Sequence, residues 1–313
     1  MAHVAFLGFA LLAAFAAPQA GQYAAELKHL VAADQADRQF SGTPTKAQLK
    51  QMSQRDAVRF RRVKQILSVA TEFNADEFDA AALLFQHADK PEDYITAHEL
   101  AACADALGKI SSLAALAEDR FLVSIHRRQR FGSQFDWHGK QAEIDEQQPA
   151  AVTDDLRLDF LIPALSEYRD HGYMAGQFAS NAISKRFLAR RDADHPLFGD
   201  PVISPKLVEM TPSFGARAVV LDFYQAGKIV TDADLSNAAR ILLSSNRPEE
   251  LLLAHEFASL AMGELYSPAR PLFAETWDAF ATSIGRPTRY APHRPCRAVQ
   301  LVLDPTLATA GRL

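Results

Sequence analysis

His87, Arg120, Gln129 and Gln134 are the residues of this chain whose types suit chemistry. An imidazole can take a proton near neutrality, and a guanidinium can hold an anion through a planar fork of donors. What singles them out is an internal comparison. Lys90-Pro91-Glu92-Asp93-Tyr94-Ile95-Thr96-Ala97-His98-Glu99 returns as Arg247-Pro248-Glu249-Glu250-Leu251-Leu252-Leu253-Ala254-His255-Glu256, and Ser124-Ile125 returns as Ser283-Ile284. The second copy carries Ser244, Ala279, Thr288 and His293 where the first has His87, Arg120, Gln129 and Gln134. Polar residues kept in both copies, such as His98 with His255, Glu99 with Glu256 and Asp119 with Asp278, point instead to the shared fold.

The elements that must position these groups read as helices. Ala24 to Phe40 is helical, and Thr45 can cap a helix from Lys46 to about Ala70. Asn74 with Glu77 is a capping-box pattern opening a helix to about Ala88. Pro91 suits a first turn, Gly108 a stop, and Ser111 opens a helix to about His126. Copy two repeats the scheme with Thr231, Pro248 and Gly285. On the helix 75–88, Phe78, Ala81, Ala82 and Phe85 make a core stripe, while His87 lies on the other side with Leu83 and Leu84. The helix 111–126 likewise has a second apolar face of Leu113, Leu116 and Val123, with Arg120 in its middle. The segment 127–168, a partner or a pocket wall must cover these faces. A guanidinium there needs acceptors, and Asp34, Asp89 and Glu118 are candidates. Asp119, adjacent in sequence, points about 100° away.

The fold class is therefore all-α: two tandem helical domains related by duplication, residues 21–168 and 169–313. Short strands are possible in Phe131–Gln141 or Arg297–Asp304. The composition agrees, with 48% hydrophobic and 23% charged residues and only 14 glycines. A net charge of −5 gives no global attraction to nucleic acid. The basic runs Arg59-Phe60-Arg61-Arg62 and Arg127-Arg128-Gln129-Arg130 read as solvated faces or internal ion pairs. Val4 to Ala17 is almost wholly apolar and small residues follow, so residues 1–20 read as a secretory signal. That predicts a periplasmic or secreted protein without an integral membrane segment after cleavage. Export would permit a disulfide between Cys103 and Cys296, and neither has ligands at metal-site spacing, so no metal or cofactor is expected.

Asp34-Gln35-Ala36-Asp37-Arg38, Gln86-His87-Ala88, Asp119-Arg120 and Gln129-Arg130-Phe131-Gly132-Ser133-Gln134 occur in this order. In them the first copy resembles a bacterial domain family of unknown function, with the motifs D-Q-x-x-R, Q-H-A, D-R and G-x-P-Q-x-[FY]-G-T-Q. Thr153-Asp154-Asp155-Leu156-Arg157 and Ile162-Pro163-Ala164-Leu165 resemble the family's closing segment. His126, Arg128 and Ser133 depart from the pattern, which has Gly, Pro and Thr there. The resemblance implies a helical domain with a polar cluster and adds Asp34, Gln35 and Arg38 to it. It brings no reaction.

Two functions fit. The first is an exported, non-catalytic binding or interaction protein. Its cluster of Asp34, Gln35, Arg38, His87, Arg120, Gln129 and Gln134 would take a small polar ligand or a peptide end. The second is a hydrolase-like enzyme with His87 as general base, Asp34 or Asp119 orienting it, and Arg120 with Gln134 holding substrate. No nucleophile elbow, P-loop or dinucleotide fingerprint accompanies the second.

Overall fold

A computed structural model describes residues 20–70, 72–109, 111–138, 141–144, 157, 160–162, 206–207, 209–229, 231–263, 269–285 and 288. The helices of the first half are α1 (Ala24–Asp37), α2 (Lys46–Val69), α3 (Ala75–Gln86), α4 (Pro91–Ala106) and α5 (Leu113–Ser124). A two-stranded antiparallel hairpin follows, β1 (Phe135–His138) with β2 (Gln141–Ile144), Phe135 opposite Ile144. Then come α6 (Phe214–Gln225), α7 (Asp232–Leu242), α8 (Pro248–Gly263) and α9 (Ala269–Ser283). The described residues are thus predominantly helical, as the composition predicts. The hairpin lies partly within the first of the two expected strand windows, and the second window, 297–304, lies outside the described residues. So do the apolar leader (residues 1–19) and Cys296. Cys103 is disulfide-bonded.

Local chemistry starts and stops these helices. Thr45 and Gln48 form a reciprocal capping box on α2, and Asn74 with Glu77 forms one on α3. Thr231 Oγ1 accepts the Asp234 amide at 3.1 Å to open α7. Pro91 and Pro248 begin α4 and α8, where a missing N–H costs no helical bond. Gly108 and Gly285 take the left-handed conformation just past α4 and α9. His126 takes it past α5, at φ 59°, the position where its counterpart is Gly285 at φ 72°.

Several helix ends differ from the sequence reading: the helices expected to run to Phe40 and to about His126 stop at Asp37 and Ser124, and two further ends have a clear local cause. The helix expected to run to Ala88 stops at Gln86, and His87 sits beyond it as the C-terminal cap, at φ −98° and ψ 11°. The Gln86 carbonyl accepts from Arg120 Nη1 at 2.5 Å, so a side chain takes up one of the oxygens a helix end leaves over. The helix expected from Ser111 starts at Leu113, because Asp105 Oδ1 takes the Ser111 amide at 3.0 Å and holds that residue in the connection.

α3 packs on α4 and α5, α7 on α8, and α8 on α9, while α4 and α8 pack against each other. One buried cluster runs through both halves, from Leu27, Val63 and Phe85 to Leu235, Phe257 and Phe273. It also contains Leu84, Leu113, Phe131, Phe160 and Ile162, so residues of the segment after α5 share the core with part of the second faces of α3 and α5, while Val123, expected on that face of α5, is 41% exposed. A smaller cluster joins the halves: Ile95, Phe121 and Leu122 with Leu251, Trp277 and Phe280.

Glu77 anchors the start of the chain. Its Oε2 accepts the Gly21 and Asn74 amides at 2.7 and 2.8 Å, and its Oε1 accepts the Tyr23 amide at 2.7 Å. Glu77→Ala strands three amides and is expected to cost about 2–4 kcal/mol by urea unfolding, against about 1 kcal/mol for Asn74→Ala. At the left-handed position past α5, His126→Gly is expected to stabilise by about 1 kcal/mol in the same measurement, with no change of fold.

Candidate functional site

α1 turns Asp34 inward, where it is 1% exposed, on the side of the helix that also buries Leu27. A buried carboxylate needs cations and donors, and neighbouring helices supply them. Arg38, one turn on, pairs with Asp34 Oδ1 at 2.7 Å, and Gln35 Nε2 donates to Oδ2 at 2.9 Å. Arg38 also grips Asp56 of α2 with two donors, at 3.2 and 3.0 Å. Arg59 joins Asp37 at 2.7 Å and Asp56 at 2.5 Å, with Asp34 at 3.9 Å. Burial pushes the Asp34 carboxyl up, but the His87 hydrogen bond and the charges of His87 and Arg38 outweigh it and hold it below the ordinary carboxylate range.

His87 meets this carboxylate from α3. Its Nδ1–H donates to Asp34 Oδ2 at 2.8 Å, and its side chain is 20% exposed. An ionised carboxylate only accepts, so the neutral ring carries its proton on Nδ1 and leaves Nε2 as a base. Asp34, rather than Asp119, is therefore the group that orients His87.

Asp119 has another task. Fully buried, it accepts the Arg130 and Phe131 amides on Oδ1 at 2.7 and 2.9 Å, and the Ser133 amide on Oδ2 at 2.7 Å. Gln129 closes the same loop: its Nε2 donates to the Gln134 carbonyl at 2.9 Å, and its Oε1 accepts the Gln134 amide at 2.8 Å. The loop presents Gln134, whose Oε1 accepts from Arg120 Nε at 3.2 Å and whose Nε2 donates to the Leu116 carbonyl at 3.3 Å. Arg120 also stands 5.8 Å from the centre of the Tyr94 ring. Burial lowers the Arg120 pKa, Tyr94 opposes that, and the charge of Arg38 adds to it. No carboxylate among the described residues lies within ion-pair distance of Arg120.

Thus Asp34, Gln35, Arg38 and His87 form one group, and Arg120 with Gln134 a second that abuts it through the Gln86 carbonyl. Gln129 and Asp119 are loop supports. Sequence comparison passed over Tyr94, although its counterpart Leu251 is apolar and the same test would have found it. Asp56 and Arg59 carried no such signal, since only the packing of α2 on α1 brings them in.

A further polar cluster joins the halves. Arg130 bonds Glu118 at 2.7 Å and pairs closely with Glu256 of α8. Burial pushes Glu256 well above its ordinary value; Arg130 pulls it back and the charges of Glu118 and Asp119 push it further. His98 donates from Nδ1 to the Ala114 carbonyl at 2.9 Å, and the His98 and His255 rings stand 5.9 Å apart. The basic runs are internally paired too, through Arg59 and Arg130 above and Arg62 with Glu26 at 2.6 Å. Among the described residues no group of three His, Cys, Asp or Glu is placed to hold a metal ion, and no helix is long and apolar enough to cross a membrane.

Asp119 sets a pH signature. Burial pushes its carboxyl from 3.8 up to about 6, against the Phe131 and Ser133 amides and the Ser133 hydroxyl that favour the ion, with the charge of Glu118 adding to the rise. The native state then holds a proton that the unfolded chain has released, so its contribution to stability declines as pH rises from about 4 to 6, by roughly 2–3 kcal/mol. Asp34 acts in the opposite sense and lower: its contribution is present above 3.8 and is lost as pH falls through its depressed value. Urea unfolding at a series of pH values should show the decline between 4 and 6, and Asp119→Asn should flatten that part of the curve.

No known family model, curated protein or solved structure matches this chain.

Proposed function

We propose that this is an exported helical binding protein, periplasmic or secreted, whose site is the cluster of Asp34, Arg38, His87, Arg120 and Gln134. Its second half is a docking scaffold derived from the same ancestral unit. The observation that carries the reading is Arg120. It is a partly buried guanidinium held by neutral acceptors, beside a histidine oriented by a buried carboxylate. The resemblance to a family with D-Q-x-x-R, Q-H-A and D-R motifs supports it, because the three motifs meet in space.

Common ancestry is supported by the way the halves meet. His98 faces its own counterpart His255, and Phe121 shares a cluster with its counterpart Phe280. Self-pairing of this kind is the signature of a two-fold interface between like units. Export is supported by the apolar leader and by the disulfide at Cys103, which an oxidising compartment preserves.

One observation favours a second reading. The 2.8 Å contact of Asp34 with His87 is the arrangement that orients a general base, as a hydrolase would need. No serine or cysteine among the described residues is hydrogen-bonded to His87, so binding ranks first.

Thermal-shift screening of small polar ligands against wild type, His87→Ala and Arg120→Ala tests this. Both variants should fold, with midpoints lowered by a few degrees, and should lose any ligand-induced rise seen in wild type. Collapse of both variants, with no ligand moving the wild type, would show that the cluster only supports the fold.

A further inference from the structure

We infer that the ligand of this site is a monoanionic carboxylate, with Arg120 as its counter-ion and His87 as a neighbouring contact. This rests on the binding-site reading above and names what the site selects.

Charge matching carries the inference. Arg38 lies between Asp34 and Asp56, Arg59 between Asp37 and Asp56, and Arg130 between Glu118 and Glu256. Arg120 is satisfied in hydrogen bonding by the Gln86 carbonyl and Gln134 Oε1, which fix its direction but leave its charge. Among the described residues the acids nearby are occupied elsewhere. Asp34 serves Arg38 and His87, Asp93 pairs with Lys64 at 3.1 Å, and Asp119 holds three amides. Asp89 is exposed to solvent. Among the described residues no acid is left to face this partly buried guanidinium, so its charge is open to an anion from outside.

The donors that remain set the ligand's shape. Arg120 Nε and one proton of Nη1 already bond to protein. The free donors are at the Nη1–Nη2 end, which fits the two oxygens of one carboxylate. A phosphate dianion would need a second free cation. Arg38 cannot supply it, since both its terminal nitrogens hold Asp56. Leu83 and Leu116, one turn before His87 and Arg120 on their helices, are partly exposed. An apolar stem behind the carboxylate suits them.

The inference is tested on the full chain by calorimetric titration and by nitrogen-15 spectra of the histidine rings. The probes are N-acetylleucine, its neutral amide, hexanoate and inorganic phosphate. N-acetylleucine or hexanoate should bind and shift the His87 ring resonances, the stronger of the two telling a peptide end from a simple acid. The amide should bind at least about tenfold more weakly than N-acetylleucine. Arg120→Gln, which keeps hydrogen-bonding capacity without the charge, should weaken the acid at least about tenfold. Because acid and amide are compared on wild type, the test survives a poorly folded variant. An amide that binds as well as the acid would overturn the carboxylate assignment and leave the binding site standing. Tighter binding of phosphate, or a folded Arg120→Gln that keeps its affinity, would do the same. Failure of both acids to bind at millimolar concentration overturns the assignment, and silence from every ligand in the thermal screen overturns the site itself.

Discussion

Asp119 holds the amides of Arg130, Phe131 and Ser133 on one buried carboxylate, and much of the molecule's polar organisation follows from that grip. It turns the chain after α5 back over its own helix. With the turn made, Phe131 enters the core, Gln134 reaches Arg120, and Arg130 reaches Glu118 and Glu256. A short loop thus serves the candidate site and the junction between halves at once. An apolar residue at 119 would leave three amides without partners, so the carboxylate is tolerated despite its burial.

The charges that meet between helices fall into groups of different balance. Between α1 and α2, Asp34, Asp37 and Asp56 face Arg38, Arg55 and Arg59, so acids and arginines match in number. At the junction, Glu118 and Glu256 share Arg130, and burial, reinforced by the excess negative charge, pushes Glu256 well above the ordinary carboxylate range. Arg120 has the reverse imbalance, a cation among neutral acceptors. Balanced networks pin structure at a desolvation cost that pairing offsets. The imbalance at Arg120 beside an oriented, partly exposed histidine is the feature on which the proposed binding function rests.

Several features of this arrangement were legible in the chain. The capping boxes at Thr45 and Asn74, the prolines opening α4 and α8, and the glycines closing α4 and α9 are local devices. Each acts within a few residues, so their spacing reveals them. The contrast between His87 and Ser244, or Arg120 and Ala279, picked out side chains that the fold places on either side of the Gln86 carbonyl, because it compares environments without needing to know them. Gln129 was found by that contrast too, yet its partners make it a brace for Gln134. A residue's presence in one copy marks a special environment but does not say what the side chain touches there.

What required the folded molecule was pairing over distance. Asp56 and Arg59 became part of the cluster only because α2 lies along α1, and Glu256 became part of the junction only because α8 packs on α4. The roles of Asp34 and Asp119 likewise depended on which carboxylate stands within hydrogen-bond reach of His87. The sequence by itself determined the helical class, the capping residues that open most helices, and a short set of polar residues, since propensity, capping and periodicity are short-range. Which of those residues meet, which charges cancel, and which cation is left unmatched were decided by tertiary packing, because ion pairing and desolvation act between atoms that the chain alone does not bring together.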